Sequence, residues 1–252
     1  MLDKFLAPED QGRAARTFNR FASHDISQLT LAGGFAIELR ILERGGRTLL
    51  RPLHDIDFLA VSFDSIPNTL GSDFLFRHVH PDDPPGKTLL QAVDPASALR
   101  VDVFRAYGAA IERATPIDFA SLVSPHAPYP SISPRLRVAA IEDLPARHAR
   151  LCCDLFSQQT VQPKFARDLL RLLELLAPEQ VEPAWQEHRK PTHPATFASA
   201  AEKLRTHITM NAHLLVAPTY STDPSEFCAR CRSTDFFPLT DAGSVLSLLG
   251  YC

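Results

Sequence analysis

The sequence lacks a long hydrophobic run and an excess of charge of either sign. No segment approaches the roughly 18 consecutive apolar residues that a membrane-spanning helix needs, although 45% of the 252 residues are hydrophobic. The N-terminus also lacks the apolar region of a signal peptide. The formal net charge of −3 argues against a nucleic-acid binder that works by bulk positive charge. We therefore expect a cytoplasmic protein without a membrane partner.

Cysteine is scarce, and its count is odd. The five cysteines are Cys152, Cys153, Cys228, Cys231 and Cys252. Without a secretion signal, this count favours reduced thiols or a metal site over a disulfide framework. Cys228 and Cys231 form a CxxC motif, which would supply half of a tetrahedral Zn²⁺ site. Candidates for the other half, none at a diagnostic spacing, are Cys152, Cys153, Cys252, His207 and His213. Buried or idle thiols are the alternative.

The hydrophobic periodicity changes along the chain and divides it into three parts. Short helical and strand patterns alternate at first, which predicts an α/β core over 1–135. A leucine stripe at 169–176 is typical of helix-on-helix packing, so a helical domain is predicted over 136–215. The segment 216–252 is predicted to be a Cys-containing tail. The fold class is therefore α+β: a mixed β-sheet core flanked by helices and followed by a helical domain.

Local patterns predict where the main elements of the core begin and end. The predicted strands lie at 54–63, 88–93 and 99–106. A helix is predicted to start at Gly33-Gly34 and to stop at Gly45-Gly46. In the second half of the chain, a proline cluster at 178–194 is predicted to interrupt regular structure.

The stretch LHDIDFLAV at 53–61 carries two carboxylates within an otherwise apolar strand. Side chains alternate along a strand, so Asp55 and Asp57 share one face while Ile56 and Phe58 occupy the other. Two carboxylates held this close repel each other, and one takes up a proton unless a cation compensates. Mg²⁺ or Mn²⁺ is the expected cation, because such ions bind carboxylates and fill their other positions with water and phosphate oxygens.

A third carboxylate and a glycine turn extend this pattern. Asp102 lies in LRVDVF, another strand with alternating apolar residues. If the two strands are neighbours, the three carboxylates can hold metal ions for phosphoryl transfer. Gly33 and Gly34 at a helix start would offer backbone N–H groups to a polyphosphate. A two-metal phosphohydrolase or nuclease would use the same carboxylates, but hydrolysis does not need a triphosphate cradle.

The segments LAGGFAIELR, HDIDFLAV and LRVDVF, in this order, resemble the signature of the nucleotidyltransferase superfamily. They are most similar to the minimal nucleotidyltransferases, including the AbiEii-type toxins of bacterial toxin–antitoxin pairs. The resemblance implies a nucleotidyltransferase-like fold and Mg²⁺-dependent transfer of a nucleoside monophosphate from an NTP to an acceptor hydroxyl. The acceptor would be a protein, an RNA or a small molecule, and an antitoxin-type partner is implied as well.

The resemblance also assigns roles by position. Asp55 and Asp57 match the metal ligands, and Asp102 matches a third carboxylate that binds metal or acts as general base. Gly33 and Gly34 match the turn that holds the triphosphate. The alternative is a catalytically inactive relative of the same fold that acts as a binding or regulatory protein, with Zn²⁺ bound in its tail.

Basic residues near these motifs are candidates for nucleotide binding. Arg51 lies shortly before the paired aspartates, and Lys164 lies in VQPKFARDLL, which resembles a helix that follows the core in these enzymes. Arg167 and Asp168 of the same helix are, like Lys164, candidates for contacts with phosphate or with the neighbouring domain, which is the predicted α/β core. Arg100 shares a strand face with Asp102, so it could either pair with that carboxylate or contact a phosphate.

Overall fold

The structure is a computed structural model that describes six parts of the chain. They are 2–77, 89–106, 108–118, 135–157, 163–211 and 236–238. The predicted zinc ligands Cys228 and Cys231, with Cys252 and His213, lie outside these residues. Within these ranges, the helices are all too short or too polar to cross a membrane.

The helices and strands of the described ranges alternate in the first half of the chain, and helices dominate the second half. The α-helices are α1 (Pro8–Ala22), α2 (Gly33–Glu43), α3 (Gly108–Glu112), α4 (Asp143–Ser157), α5 (Pro163–Leu173), α6 (Pro178–His188) and α7 (Phe197–Met210). The strands are β1 (Thr30–Ala32), β2 (Asp55–Ala60), β3 (Leu75–Arg77), β4 (Leu89–Asp94), β5 (Leu99–Arg105), β6 (Thr115–Asp118), β7 (Arg135–Val138) and β8 (Phe236–Pro238). Short 3-10 helices lie at Leu2–Lys4, Phe63–Ser65 and Asn68–Ser72.

The strands form one mixed sheet in the order β6-β7-β1-β2-β5-β4-β3-β8. The central strands β2 and β5 are parallel neighbours, and β1 and β7 are also parallel. The other pairs are antiparallel. The chain is thus a mixed sheet with flanking helices, which is compatible with the predicted α+β class.

Alternation along β2 and β5 buries one face of the sheet centre. Ile56 and Phe58 are fully buried, and the ring of Phe58 stacks on that of Phe21 in α1 at a centroid distance of 4.6 Å. Farther along the opposite face, Leu59 packs with Ile111 of α3. The remaining part of that face, at the start of β2 and β5, carries polar side chains, because Asp55, Asp57, Arg100 and Asp102 lie there.

Helix α2 begins and ends at glycines, as the sequence predicts. Its last turn is closed by hydrogen bonds from the N–H of Gly45 to the carbonyl of Leu42 and from the N–H of Gly46 to the carbonyl of Ile41. This pair of bonds is the Schellman motif, which needs a residue with positive φ. Gly45 supplies it with φ of +70°.

The helical half has its own hydrophobic cluster, formed by residues of α4, α5, α6 and α7. Trp185, the only tryptophan of the chain, is fully buried in this cluster. Helix α4 is the first of these helices and begins at Asp143. Strand β7 precedes α4, continues past residue 135 and pairs with β1 and β6. Leu136 and Val138 lie two residues apart and therefore on the same face of this strand. The core sheet therefore extends slightly beyond the predicted boundary.

The prediction that prolines at 178–194 interrupt regular structure is wrong for helix α6. This helix starts at Pro178, in the first turn, where a backbone N–H has no helical acceptor to lose. Pro183 lies inside the helix, where it removes one backbone hydrogen bond. Packing of Val181, Ala184 and Trp185 into the helical cluster offsets that loss.

Candidate functional site

The three predicted carboxylates lie on the two central parallel strands. Asp57 of β2 is aligned with Asp102 of β5, and Asp55 is aligned with Arg100. Aligned residues on neighbouring strands point to the same face, and residues two apart on one strand do so as well. The structure therefore brings Asp55, Asp57 and Asp102 to one face of the sheet, with Arg100 among them.

The next strands on either side complete this row of residues. Ala32 of β1 is aligned with Asp57, and Gln91 of β4 is aligned with Asp102. The side-chain amide of Gln91 donates a hydrogen bond of 3.0 Å to Oδ1 of Asp102. Gln91 fixes the orientation of Asp102.

Arg100 pairs with two of the three carboxylates. Its Nη2 donates a hydrogen bond of 2.6 Å to Oδ2 of Asp55, and its Nε lies 3.2 Å from Oδ1 of Asp102. Pairing of Arg100 with Asp102 is one of the two roles that the sequence left open. No hydrogen bond or ion pair joins Asp57 to another residue that the structure describes.

The pKa of Asp57 reflects this lack of a partner. Burial raises the pKa well above its ordinary value, and the negative charges of Asp55 and Asp102 raise it further. The positive charges of Lys164 and Arg100 lower the same pKa, but they do not cancel the increase. In the metal-free protein, Asp57 therefore binds a proton more readily than an ordinary aspartate does.

The donor chemistry of this cluster fits a divalent cation. Mg²⁺ and Mn²⁺ prefer carboxylate oxygens, and the cluster offers three carboxylates, of which Asp57 lacks a partner. In the described parts of the chain, however, no three Asp, Glu, His or Cys side chains converge closely enough to hold a metal ion. Two of the three carboxylates, Asp55 and Asp102, are in contact with the guanidinium of Arg100 instead.

Gly33 touches this cluster from the start of α2. Its φ is +62°, and a Cβ added there would lie 1.7 Å from Oδ2 of Asp57. Only glycine fits, both because of the backbone conformation and because of this close approach. Ala32, the N-cap residue of α2, makes no side-chain cap. The N–H groups at the positive end of α2 thus lie beside the Asp57 carboxylate, where they could bind an anion.

Gly34 is packed against Arg51 rather than against an aspartate. A Cβ at Gly34 would lie 2.5 Å from Nη1 of Arg51. Nε of Arg51 lies 3.0 Å from Oε1 of the fully buried Glu38, and Nη2 of Arg51 pairs with Asp168 of α5. Arg171 completes the group, with bonds of 2.6 and 2.8 Å to Glu38. We call Glu38, Arg51, Asp168 and Arg171 the buried ion network.

The buried ion network gives Arg51 a role that the sequence did not reveal. It joins α2, the segment before β2 and the helical half directly behind the glycine turn. Asp168 contacts the core, which is one of the two roles predicted for it. Arg51 as a nucleotide ligand stays a prediction, and its present partners are carboxylates. Arg167 is exposed, at 3.9 Å from Asp168.

Two basic side chains from the helical half act on Asp57. Lys164 of α5, a predicted nucleotide ligand, lowers the pKa of Asp57. Arg147 of α4 was missed by sequence reasoning, because nothing distinguishes it from other arginines of an amphipathic helix. Burial lowers the pKa of Arg147, Asp57 partly offsets this effect, and Arg147 forms no hydrogen bond or ion pair with a described residue. Such a cation is suited to an anionic ligand.

The described cysteines are poor metal ligands in their present surroundings. Burial raises the pKa of Cys152 to about 12 and that of Cys153 to about 11, whereas Zn²⁺ binds thiolates. The ring of His207 lies 4.0 Å from that of Phe156. Zinc binding by Cys228 and Cys231 stays a prediction, since both lie outside the described residues.

The comparisons with known proteins give no further guide to this site. No protein-family model matches the chain, and no curated protein matches it.

The raised pKa of Asp57 leads to a testable prediction about how the stability of the protein depends on pH. The folded protein binds a proton at Asp57 that the unfolded chain releases above about pH 4, so its free energy of unfolding should fall as the pH rises above that value. Asp57→Asn should remove this loss and make the metal-free protein more stable than the wild type at pH 8. Urea unfolding in EDTA between pH 4.5 and 8 measures the effect.

The control for this prediction is Asp25→Asn. Asp25 is exposed, and its hydrogen bonds with Ser27 lower its pKa, so its neutralisation should not stabilise the protein. If Asp57→Asn were as stable as the wild type or less stable at pH 8, the charge of Asp57 would already be compensated.

Proposed function

We propose that the chain has a nucleotidyltransferase-like fold and transfers a nucleoside monophosphate from an NTP to an acceptor hydroxyl, with Mg²⁺ or Mn²⁺ as the metal. The main support is one observation: Asp57 and Asp102 are aligned on neighbouring parallel strands, and Gly33 at the start of α2 lies against Asp57. A carboxylate cluster beside a helix N-terminus provides for both a cation and a polyphosphate.

The proposal assigns each residue a chemical task. Asp57 and Asp102, with Asp55, hold the metal ion, which neutralises charge on the phosphates and aligns the attacking and leaving oxygens when it is bound. Gln91 keeps Asp102 oriented through its hydrogen bond. Asp102 either completes the metal site or accepts the proton of the acceptor hydroxyl.

The triphosphate would lie at the glycine turn. The N–H groups of the first turn of α2 donate hydrogen bonds to its oxygens, and the helix dipole adds positive potential. Lys164 and Arg147 bring positive charge from the helical half toward Asp57. The substrate would then contact both the sheet and the helices. An antitoxin-type partner and an acceptor that is a protein, an RNA or a small molecule remain predictions from the resemblance. A cytoplasmic location remains a prediction from the sequence.

A non-catalytic relative of this fold is the second candidate. The observation that favours it is Arg100, whose guanidinium pairs with Asp55 and Asp102 as a metal ion would. In this case the sheet face would bind a nucleotide or a partner protein without transfer.

A transfer assay distinguishes the two candidates. The full chain is incubated with each α-labelled NTP and Mg²⁺, with itself, total RNA or cell protein as acceptor, and both label transfer and pyrophosphate release are measured. We expect the wild type to be active. Asp57→Asn and Asp102→Asn should each lose about 1,000-fold or more, because the metal supplies several kcal/mol of charge stabilisation.

The control for the assay is again Asp25→Asn, which removes an exposed carboxylate outside the site and should keep full activity. Transfer that survives unchanged in both Asp57→Asn and Asp102→Asn would refute the proposed function. Binding of an NTP without transfer by the wild type would favour the non-catalytic candidate.

A further inference from the structure

Arg100 lies where its single positive charge faces three carboxylates. It belongs to the same strand as Asp102 and is aligned with Asp55 on the neighbouring strand. All these side chains point to one face of the sheet, so their proximity follows from the register and not from a chance rotamer. The position of Arg100 on its strand therefore places it within the candidate metal site.

We propose that Arg100 is a built-in counter-cation of the metal site, which holds Asp55 and Asp102 in the metal-free protein and must be displaced from them when a divalent cation binds. The proposal rests on the proposed function, because it assumes that these carboxylates bind a metal. It adds that the affinity for the metal is set by competition with an internal guanidinium.

The two contacts of Arg100 differ in strength, and this difference supports displacement. The bond from Nη2 to Asp55 is short at 2.6 Å, but Nε makes no hydrogen bond even though Oδ1 of Asp102 is 3.2 Å away. The Asp102 contact is thus electrostatic without the directionality of a hydrogen bond. The Arg100 side chain is 31% exposed, so it has access to solvent when it leaves.

Gln91 makes the displacement possible without loss of the site. It donates a hydrogen bond to the same Oδ1 of Asp102 that faces Nε of Arg100. Asp102 therefore stays oriented and partly compensated after Arg100 has moved away. The contacts of Asp57 also indicate that Arg100 does not replace the metal permanently. A guanidinium that did so would be expected to pair with all three carboxylates, but Arg100 forms no ion pair with Asp57.

Competition of this kind predicts a gain of metal affinity when the charge of Arg100 is removed. Arg100→Gln should bind Mn²⁺ about tenfold more tightly or better, because the metal no longer displaces a cation from the same oxygens. Arg100→Lys, which keeps the charge, should stay within about threefold of the wild type. The measurement is titration of the full chain with Mn²⁺ in the absence of nucleotide, followed by the EPR signal of free Mn²⁺.

Matched variants separate competition from other effects. Arg105→Gln removes the same charge from the exposed end of the same strand, where alternation directs the side chain to the opposite face, and should leave Mn²⁺ affinity unchanged. Arg100→Met serves as a second neutral variant if the glutamine variant folds poorly, as judged by circular dichroism.

The outcomes distinguish this inference from the proposed function. Mn²⁺ affinity that is equal or weaker in the neutral Arg100 variants, with measurable binding to the wild type, would overturn the counter-cation role and leave the metal site standing. A complete lack of Mn²⁺ binding in the wild type and in every Arg100 variant would overturn both. If Arg105→Gln also bound Mn²⁺ more tightly than the wild type, the gain would come from the lower net charge of the protein and not from Arg100, and the inference would be overturned.

Discussion

Alanine in place of Gly33 should abolish both the metal binding and the nucleotidyl transfer that we propose. The added Cβ would lie 1.7 Å from Oδ2 of Asp57, so the carboxylate must rotate away or the turn must open. The φ of +62° also disfavours any residue with a Cβ, at about 1–2 kcal/mol. We expect transfer to fall about 1,000-fold or more, because the variant displaces Asp57 and distorts the N–H groups that would bind the triphosphate.

Alanine variants of Gly45 and Gly34 distinguish the effect of the backbone conformation from the effect of the contact with Asp57. Gly45 has a similar φ of +70°, but a Cβ there would meet no atom within 4 Å. Gly45→Ala should therefore lose a comparable amount of stability from the backbone alone and keep its activity. Gly34→Ala would press on Nη1 of Arg51, the end of a long side chain, and should have an intermediate effect. Equal activity in Gly33→Ala and Gly45→Ala would contradict the contact between Gly33 and Asp57.

Removal of one charge from the buried ion network should cause the largest loss of stability. Arg171→Met leaves Glu38 and Asp168 with Arg51 as their remaining close partner, and Glu38 is fully buried. Breaking a buried ion pair from one side costs about 3–5 kcal/mol. Glu38→Gln should be similarly destabilising, because Arg51 and Arg171 lose the negative charge with which both of them pair. Chemical unfolding followed by far-UV circular dichroism measures the loss.

The single tryptophan adds a second readout to that experiment. Trp185 lies in the helical cluster, so its fluorescence reports on the helical half, whereas circular dichroism reports on the whole chain. In the wild type, the two transitions should coincide if the network couples the halves. In Arg171→Met, we expect them to separate. Coincident transitions in this variant would show that other contacts suffice for coupling.

The controls for the loss of stability in Arg171→Met are a double variant and a variant of an exposed ion pair. Arg171→Met combined with Glu38→Gln should lose less than the sum of the two single losses, because each removes the partner of the other. Lys190→Met breaks the 2.8 Å pair with Asp154, in which the lysine is 47% exposed. Exposed pairs contribute about 0–1 kcal/mol. A loss in Arg171→Met as small as that of Lys190→Met would contradict a structural role of the network.

Much of the candidate site could be predicted from the sequence because its signals are local. The alternation around Asp55 and Asp57, the glycine pair and the isolated Asp102 each occur within a few residues, and each determines a strand face or a helix start. That Asp57 and Asp102 would be aligned was only a condition in the sequence argument. Register depends on pairing between distant segments, which the structure supplies.

Long-range contacts explain what the sequence could not predict. Arg51 meets Asp168 across 117 residues, and Glu38 meets Arg171 across 133 residues. Neither pair has a local pattern that identifies it, so the sequence alone does not indicate the contact of Arg51 with Asp168. The position of Arg147 toward Asp57 depends on how α4 packs, and α6 forms despite its prolines because its apolar side chains find a core.

The buried ion network also bears on when the protein becomes competent during synthesis. A ribosome completes the glycine turn, β2 and β5 before it has made α5, and domains fold as units while the chain emerges. Until Asp168 and Arg171 are added, Arg51 and Glu38 lack their partners on α5, and the turn lacks the support of the helical half. The carboxylate face of the nascent chain would thus remain without its full scaffold until translation has passed Arg171.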